Sequence, residues 1–173
     1  MQPNNKIFIT RDWHEEAVNY LSDKKYEVIT WKNITSPTES EIINILKDCV
    51  AIISEFDDKI TNNIINKAPN LKVISNRAVG YENIDIKKAN ERNILVGNTP
   101  GVLVETCADF TMALLLNIAR NITYSNRDVL NGKWQSFYQL PYLGFDIYNK
   151  TLGIIGLGQI GTAFAKRAIN GFN

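Results

Sequence analysis

Cysteine and histidine are scarce in this sequence, and neither forms a pattern that would carry chemistry. Cys49 and Cys107 are the only cysteines among 173 residues. Their spacing is not typical of a metal site, and they form no Cys-x-x-Cys motif. The single histidine, His14, lies near the start of the first predicted helix, away from any recognisable site motif. The sequence therefore predicts no metal site, and its cysteine usage favours a reduced, cytoplasmic protein.

An excess of charge of one sign and a long apolar run are also missing. Nineteen Lys and Arg residues stand against 18 Asp and Glu, for a net charge of +1. The chain lacks the basic stripe of a nucleic-acid-binding protein. No apolar run has the length of a signal-peptide core or of a membrane span. We therefore expect no nucleic acid and no membrane among its partners, and the 45 % apolar content is ordinary for a globular protein.

Short β-branched runs alternate with helical patterns through the first hundred residues. The runs predict five strands, at residues 6–10, 26–30, 50–53, 71–75 and 94–96. Among the helices between them, one is predicted to begin at a Ser36 cap, followed by Pro37 and Glu39, and another at an Asn83 cap. The alternation predicts the α/β class, with a flavodoxin-like doubly wound parallel sheet over residues 1–98.

A second domain is predicted to begin at residue 99 and to continue to residue 173. Its longest helical pattern runs from Val104 to about Thr123 and is apolar on more than one side, which predicts burial between layers. A shorter helix is predicted to end at Asn131-Gly132. Residues 133–149 then form an irregular, aromatic-rich arm. The arm is predicted either to pack on its own domain or to lie on a partner subunit or over a site.

The most informative stretch, residues 151–161, has the pattern of a buried strand, a G-x-G-x-x-G turn and a helix. The three glycines have separate roles: a tight turn, close approach to a pyrophosphate, and close packing of the helix on the strand. They are Gly156, Gly158 and Gly161 in that order. Gln159 and Ile160 would add backbone N–H groups at the helix start. The pattern predicts the beginning of a Rossmann nucleotide-binding domain.

The motif leaves the choice between NAD and NADP open. The acidic residue that holds a ribose hydroxyl is expected about 20 residues beyond such a turn. Only twelve residues follow Gly161 in this sequence. The predicted cofactor is therefore NAD or NADP.

Three stretches in this order resemble the D-isomer-specific 2-hydroxyacid dehydrogenases: residues 72–85, 98–116 and 153–161. Within that family the chain is most similar to the glyoxylate/hydroxypyruvate reductase branch, through residues 78–81 and 143–146. The resemblance implies a substrate domain followed by the beginning of an NAD(P)-binding domain. It also implies hydride transfer between NAD(P)H and a small 2-keto or 2-hydroxy acid, glyoxylate or hydroxypyruvate.

The resemblance implies roles for particular residues. The N–H groups of Val79 and Gly80 would hold the substrate carboxylate, as backbone amides can. Cys107 stands near the cofactor, where family members often have threonine, and Arg77 stands where an uncharged residue is expected. The family's catalytic arginine, its acidic partner and its histidine would all follow residue 173. The sequence therefore predicts no catalytic residue in this chain, and no activity for the chain alone.

The resemblance also implies a homodimer formed through the 104–123 helix and the 133–149 arm. Because a single strand and helix cannot cover both faces of a nucleotide-binding sheet, we expect residues 99–173 to pack loosely or to need a partner. Two alternatives stay open. The substrate is that of another family member, such as a phosphoglycerate or D-lactate dehydrogenase, or the chain is a non-catalytic dimerising or binding module that resembles the dehydrogenase-derived corepressors.

Overall fold

The structure, a computed structural model, describes residues 5–11, 15–137 and 142–173. It divides into two compact units, Met1–Pro100 and Gly101–Asn173. The division falls two residues after the predicted boundary at residue 98, and the roles assigned to the two domains remain predictions. His14 lies outside the described residues.

The first unit is built on a five-stranded parallel sheet, which confirms the doubly wound α/β prediction. The strands, β1 to β5, are Lys6–Ile9, Glu27–Thr30, Cys49–Glu55, Val73–Arg77 and Leu95–Gly97. The helices, α1 to α4, are Glu15–Asp23, Glu39–Leu46, Asn62–Lys67 and Ile86–Glu91. The strand order is β2-β1-β3-β4-β5, the flavodoxin-like order. Because all pairs are parallel, the carboxyl ends of the strands meet at one edge.

The core of the first unit lies between this sheet and its helices. The central strands contribute Phe8, Ile52 and Ile74, and the helices contribute Leu46 and Ile64, all five fully buried. Burying a side chain of this size contributes about 1.5–3 kcal/mol. The alternating burial along β4 leaves Ile74 and Asn76 inside, so a polar side chain enters this core near the carboxyl edge.

Helix α2 begins two residues later than the sequence predicts. Its cap is Thr38, whose hydroxyl accepts a hydrogen bond from the N–H of Glu41 at 3.4 Å. The Glu41 carboxylate accepts one from the N–H of Thr38 at 2.8 Å, which completes a capping box. Ser36, the predicted cap, instead donates to Asp57 at 2.9 Å. The prediction was wrong because a tertiary partner engages Ser36 and leaves Thr38 next to the helix.

Helix α4 begins at Ile86 and is capped by Asp85, not by Asn83 as predicted. The Asp85 carboxylate accepts a hydrogen bond from the N–H of Lys88 at 2.9 Å. The side chain of Asn83 instead donates to the carbonyls of Glu55 and Asp58, at 3.0 and 2.8 Å. Asn83 therefore joins two loops at the sheet edge, a long-range role that local propensity does not reveal.

In its described residues, 101–137 and 142–173, the second unit has three α-helices: α5 (Val104–Ala119), α6 (Ile122–Leu130) and α7 (Gln159–Phe172). The single helix predicted to reach Thr123 ends at Ala119, because Asn121 adopts a left-handed backbone with φ of 52° and α6 starts anew. Helix α5 packs on α7 through a small core of Ala108, Ala163 and Phe164.

Two burial predictions for the second unit were wrong. Helix α5 leaves Phe110 and Ile118 exposed, at 64 % and 67 %, instead of burying them between layers. Residues 151–155 form no strand, because none of the described residues pairs with them, and Ile155 is fully exposed. No helix in the described part of the chain is long and apolar enough to cross a membrane.

The described part of the aromatic arm packs against its own unit. The N–H of Phe145 donates to the carbonyl of Ala119 at 2.8 Å, and the Asn121 side chain donates to the carbonyl of Leu143 at 2.8 Å. A β-carbon on Gly144 would overlap the Ala119 carbonyl. These contacts favour the first of the two predictions for residues 143–145, while residues 138–141 lie outside the described chain.

Candidate functional site

The glycine-rich turn has the backbone geometry that its sequence predicts. Gly156 adopts φ of +93°, a left-handed conformation that favours glycine. A β-carbon on Gly161 would overlap the carbonyl oxygen of Gly156, so the first turn of α7 lies directly against the turn. Around the position of a β-carbon on Gly158 the space is open to 4 Å.

The start of α7 presents bare N–H groups. The first hydrogen bond within the helix runs from the N–H of Thr162 to the carbonyl of Gly158, at 2.9 Å. The N–H groups of Gln159, Ile160 and Gly161 precede it and have no partner in the helix. No side chain caps the helix. Because these N–H groups carry the positive end of the helix dipole, the turn suits an anion.

A groove of ≈ 1060 Å³ adjoins this turn. Residues from the turn, α5 and α7 line it, among them Val104, Gly158, Gln159, Thr162 and Lys166. Apart from its two chain neighbours, no described residue has an atom within 4 Å of a β-carbon placed on Gly158. The residues present therefore fit a dinucleotide's pyrophosphate, which needs backbone N–H groups and an absent β-carbon.

Arg167 lines the same groove, but two carboxylates of α5 hold its guanidinium. It donates to Glu105 and to Asp109, each at 2.7 Å. Hydrogen bonds to Glu105 and to Asp109 raise the pKa of Arg167 above its ordinary value. Cys107 lies half-buried in the first turns of α5. No described contact of its thiol gives it a role.

The Val79–Gly80 loop follows β4 at the carboxyl edge of the first unit's sheet. The carbonyls of Ala78, Val79 and Gly80 accept hydrogen bonds from the Thr99 N–H, the Asn98 side chain and the Asn76 side chain. These lengths are 2.8, 2.7 and 3.0 Å. Within the described chain, the N–H groups of Val79 and Gly80 find no acceptor. The loop thus keeps its carbonyls engaged, and the Glu82 carboxylate lies against Gly80, where a β-carbon would overlap one of its oxygens.

A buried polar network that the sequence analysis missed lies beneath this loop. Ser54 donates to the Oδ1 of Asn76 at 2.9 Å, and the Nδ2 of Asn76 donates to the Oδ1 of Asn83 at 3.0 Å. Ser54 and Asn76 are buried at the carboxyl ends of β3 and β4. Polar residues at two neighbouring strand ends were the available signal.

A second buried group at this edge centres on Asp58, whose carboxylate is fully buried. It accepts hydrogen bonds from the Thr10 hydroxyl, from the Glu55 N–H at 2.8 Å and from Arg11 at 3.1 Å. Arg11 also pairs with Asp57 at 2.9 Å. These bonds fix the loop that follows β3.

Arg77 ends β4, and its Nε donates to the buried carboxylate of Glu55 at 2.8 Å. The strand alternation turns Arg77 away from the side on which Asn76 is buried. Among the described residues, no three His, Cys, Asp or Glu side chains are grouped to hold a metal ion.

The fold and the glycine turn together define a class of α/β protein that has a doubly wound sheet and a helix start suited to binding an anion. Residues 7–170 match the sequence model of one family, described as D-isomer specific 2-hydroxyacid dehydrogenase, catalytic domain. The chain belongs to this family, as its sequence predicts.

Individual relatives agree with this assignment. The chain is 42 % identical over 164 residues to a glyoxylate reductase of Korarchaeum cryptofilum, covering 94 % of this chain and 49 % of the relative. A solved protein of Thermus thermophilus has a TM-score of 0.91 at 34 % identity, covering 95 % of this chain and 53 % of that one.

A third relative was solved with ligands. It is an NADPH-dependent glyoxylate/hydroxypyruvate reductase of Sinorhizobium meliloti in complex with NADP and malonate. Its TM-score is 0.77 at 26 % identity, over 96 % of this chain and 50 % of that one. The chain thus spans about half the length of the relatives it matches.

Proposed function

We propose that this chain is the N-terminal part of an oxidoreductase that transfers a hydride between NAD(P)H and a small 2-keto acid, glyoxylate or hydroxypyruvate. The observation that carries the proposal is the start of α7, where bare N–H groups face a groove that no β-carbon obstructs. NAD(P)H, when bound, supplies the hydride. The relatives named as glyoxylate reductases support the choice of substrate.

In this proposal the first unit holds the substrate and the second begins the nucleotide-binding domain. The N–H groups of Val79 and Gly80 bind the substrate carboxylate, and Gly156, Gly158 and Gly161 shape the pyrophosphate site, with Gln159 and Ile160 as donors. Cys107 lies near the cofactor but contributes no strong hydrogen bond, because a thiol is a weak donor.

Titration of the chain with NADH and with NADPH, followed by nucleotide fluorescence, tests this proposal. Gly158→Ala adds a methyl group that the open space accepts without strain, so the fold should persist. The methyl would occupy the place of the pyrophosphate, and we expect at least about tenfold weaker binding, or about 1.4 kcal/mol. Gly153→Ala is the matched control, because its β-carbon is equally unobstructed and lies outside the turn.

Either of two results would overturn the proposed nucleotide site. Equal binding by the wild-type chain and by Gly158→Ala would show that no phosphate approaches Gly158. Absence of binding by the wild-type chain to both nucleotides would count against the site itself. Comparing NADH with NADPH also measures the cofactor preference.

Residues 1–173 by themselves are not expected to turn over NAD(P)H with glyoxylate. The catalytic arginine, its acidic partner and the histidine that the family resemblance implies are absent from these residues, and His14 is the only histidine. Without an acid to protonate the keto oxygen, hydride transfer should stop. Measurable oxidation of NADPH by this chain with glyoxylate would contradict that expectation.

We also propose that two copies of the chain associate through α5 and the following arm. Helix α5 exposes Phe110, Leu114 and Ile118, and the arm exposes Phe137. A set of large apolar side chains at the surface is typical of an interface. The cytoplasmic location stays a prediction of the sequence.

A further inference from the structure

The loop proposed to bind the substrate carboxylate is held in place by hydrogen bonds to its carbonyl groups. Three successive carbonyls, those of Ala78, Val79 and Gly80, each accept a hydrogen bond from outside the loop. The bond from the Nδ2 of Asn98 to the Val79 carbonyl is the shortest of the three, at 2.7 Å. A loop held in this way has its peptide planes set by their partners.

The orientation of a carbonyl determines the orientation of the next N–H group. A peptide unit is planar and trans, so the carbonyl of Val79 and the N–H of Gly80 lie in one plane and point in opposite directions. By the same geometry, the bond from the Thr99 N–H to the Ala78 carbonyl sets the Val79 N–H. Each of the two peptide planes that carry a donor of the proposed site is therefore held by a residue just after β5. Asn98 holds the plane of the Gly80 N–H, and Thr99 holds the plane of the Val79 N–H.

Asn98 has no other role within the described chain. It lies just after β5, is exposed, and its side chain hydrogen-bonds only to the Val79 carbonyl among the described residues. Asn76, which holds the Gly80 carbonyl, also bonds to Ser54 and Asn83 and is buried, so it supports the core as well. Asn98 is thus the residue whose removal would affect the loop and little else.

We propose that Asn98 is a positioning residue that aims the N–H of Gly80 at the substrate carboxylate. This inference rests on the proposed function, because it assumes that the loop binds that carboxylate. Asn98 does not touch the substrate; it acts through the Val79–Gly80 peptide plane. The arrangement lets neutral backbone donors bind an anion with their directions set in advance, which lowers the cost of ordering the loop on binding.

The test is a titration of the ¹⁵N-labelled chain with glycolate, followed through the amide resonances of Val79 and Gly80. Glycolamide, which has the same size but no charge, is the ligand control. The variant is Asn98→Ala. The matched control is Asn70→Ala, which removes a comparable exposed bond, from the Asn70 Nδ2 to the Lys47 carbonyl at 3.0 Å, before β4 begins.

In the wild-type chain and in Asn70→Ala, both amide resonances should shift with glycolate and not with glycolamide. In Asn98→Ala we expect about tenfold weaker binding, the value of one hydrogen bond to a charged group. The Gly80 resonance should lose its response, while the Val79 resonance, whose plane Thr99 holds, should keep one at higher glycolate. A general loss of structure would instead affect both residues alike.

The outcomes separate this inference from the function on which it rests. If glycolate shifts the loop amides equally in the wild-type chain and in Asn98→Ala, the positioning role is wrong and the carboxylate site stands. If glycolate fails to shift them in the wild-type chain, the carboxylate site is wrong, and the role of Asn98 is overturned with it.

Discussion

The carbonyl oxygen of Gly156 occupies the space that a β-carbon on Gly161 would need. This close approach holds the glycine turn against the first turn of α7, where the bare N–H groups lie. Two glycines of the motif therefore have different roles. Gly161 is needed for packing, whereas Gly158 leaves room for a ligand, because the space around its β-carbon position is open.

Gly161→Ala should therefore destabilise the second unit, whereas Gly158→Ala should not. The added methyl group at position 161 forces the backbone apart, and overpacking of this kind costs roughly 1–3 kcal/mol. Urea denaturation followed by the amide resonances of α7 measures the difference. Equal midpoints for the two variants would show that the close approach of Gly161 to Gly156 has no energetic consequence.

Asp58 and Asp57 both pair with Arg11, but their removal should have unequal effects. The Asp58 carboxylate is fully buried and also serves Thr10 and Glu55, so Asp58→Ala should cost roughly 3 kcal/mol. The Asp57 side chain is 45 % exposed, and Asp57→Ala should cost less than about 1 kcal/mol. Urea denaturation followed by the sheet resonances compares them. A larger loss for Asp57→Ala would contradict the burial argument.

The capping box of α2 predicts an acid-sensitive helix start. The Thr38 hydroxyl and N–H hydrogen-bond to Glu41 and hold the pKa of that carboxyl below its ordinary value. The carboxylate's contribution to stability is therefore present above the pKa of the unfolded chain and is lost as pH falls through the lowered folded pKa. Thr38→Ala should raise the pKa of Glu41, as measured by NMR titration, and cost about 0.5–2 kcal/mol.

Ser36→Ala is the matched control for that experiment, since Ser36 is the cap that the sequence predicts. It should leave the pKa of Glu41 unchanged and act on Asp57 instead. Burial raises the pKa of Asp57, but the Ser36 hydrogen bond and the Arg11 charge outweigh it, and the net pKa is lowered. Loss of the Ser36 bond should raise it. A change in the pKa of Glu41 in the Ser36→Ala variant would indicate that Ser36 caps α2.

Hydrogen exchange should distinguish the two units. The amides of β3 and β4 hydrogen-bond within the sheet and should exchange slowly. No acceptor among the described residues receives a backbone N–H from residues 151–158, so these amides should exchange at nearly the rate of an open chain. Strong protection throughout residues 151–158 in the isolated chain would contradict the loose packing expected of this segment.

The proposed dimer predicts that charge on α5 should separate the copies. Phe110→Glu places a carboxylate in the exposed apolar set, and sedimentation velocity should show loss of the dimer at concentrations where the wild-type chain is dimeric. Ile34→Glu makes the same change at a fully exposed residue of the first unit and should leave the dimer intact. A monomeric wild-type chain, or a dimer that survives Phe110→Glu, would refute the proposed interface.

Local patterns explain why the first unit could be predicted and where the prediction stopped. The five strands were recognised because each is a short β-branched run between turn residues. The helix caps could not be predicted in this way, because Ser36, Thr38, Asn83 and Asp85 all have side chains that can cap a helix. Which of them does so depends on Asp57 and on the sheet-edge loops, which lie far away in sequence.

The two candidate sites also differ in how much of their structure could be predicted from the sequence. The turn at Gly156 to Gly161 could be predicted because the backbone conformation depends on residues a few positions apart. The hydrogen bonds that hold the Val79–Gly80 loop could not be predicted, because they come from the side-chain amides of Asn98 and Asn76, which belong to other segments. The sequence shows that an asparagine is present, but it does not show which carbonyl group the asparagine side chain contacts.

The sequence by itself determined the strand and helix periodicity of the first unit, the glycine turn and the family, since each depends on short-range spacing of residue types. Only the tertiary structure decided which side chains cap the helices, which carbonyls of the loop are held, and that α5 and Ile155 stay uncovered in this chain. The physical reason is that hydrogen bonds and burial form between segments distant in sequence, and these partners exist only once the sheet has brought the segments together.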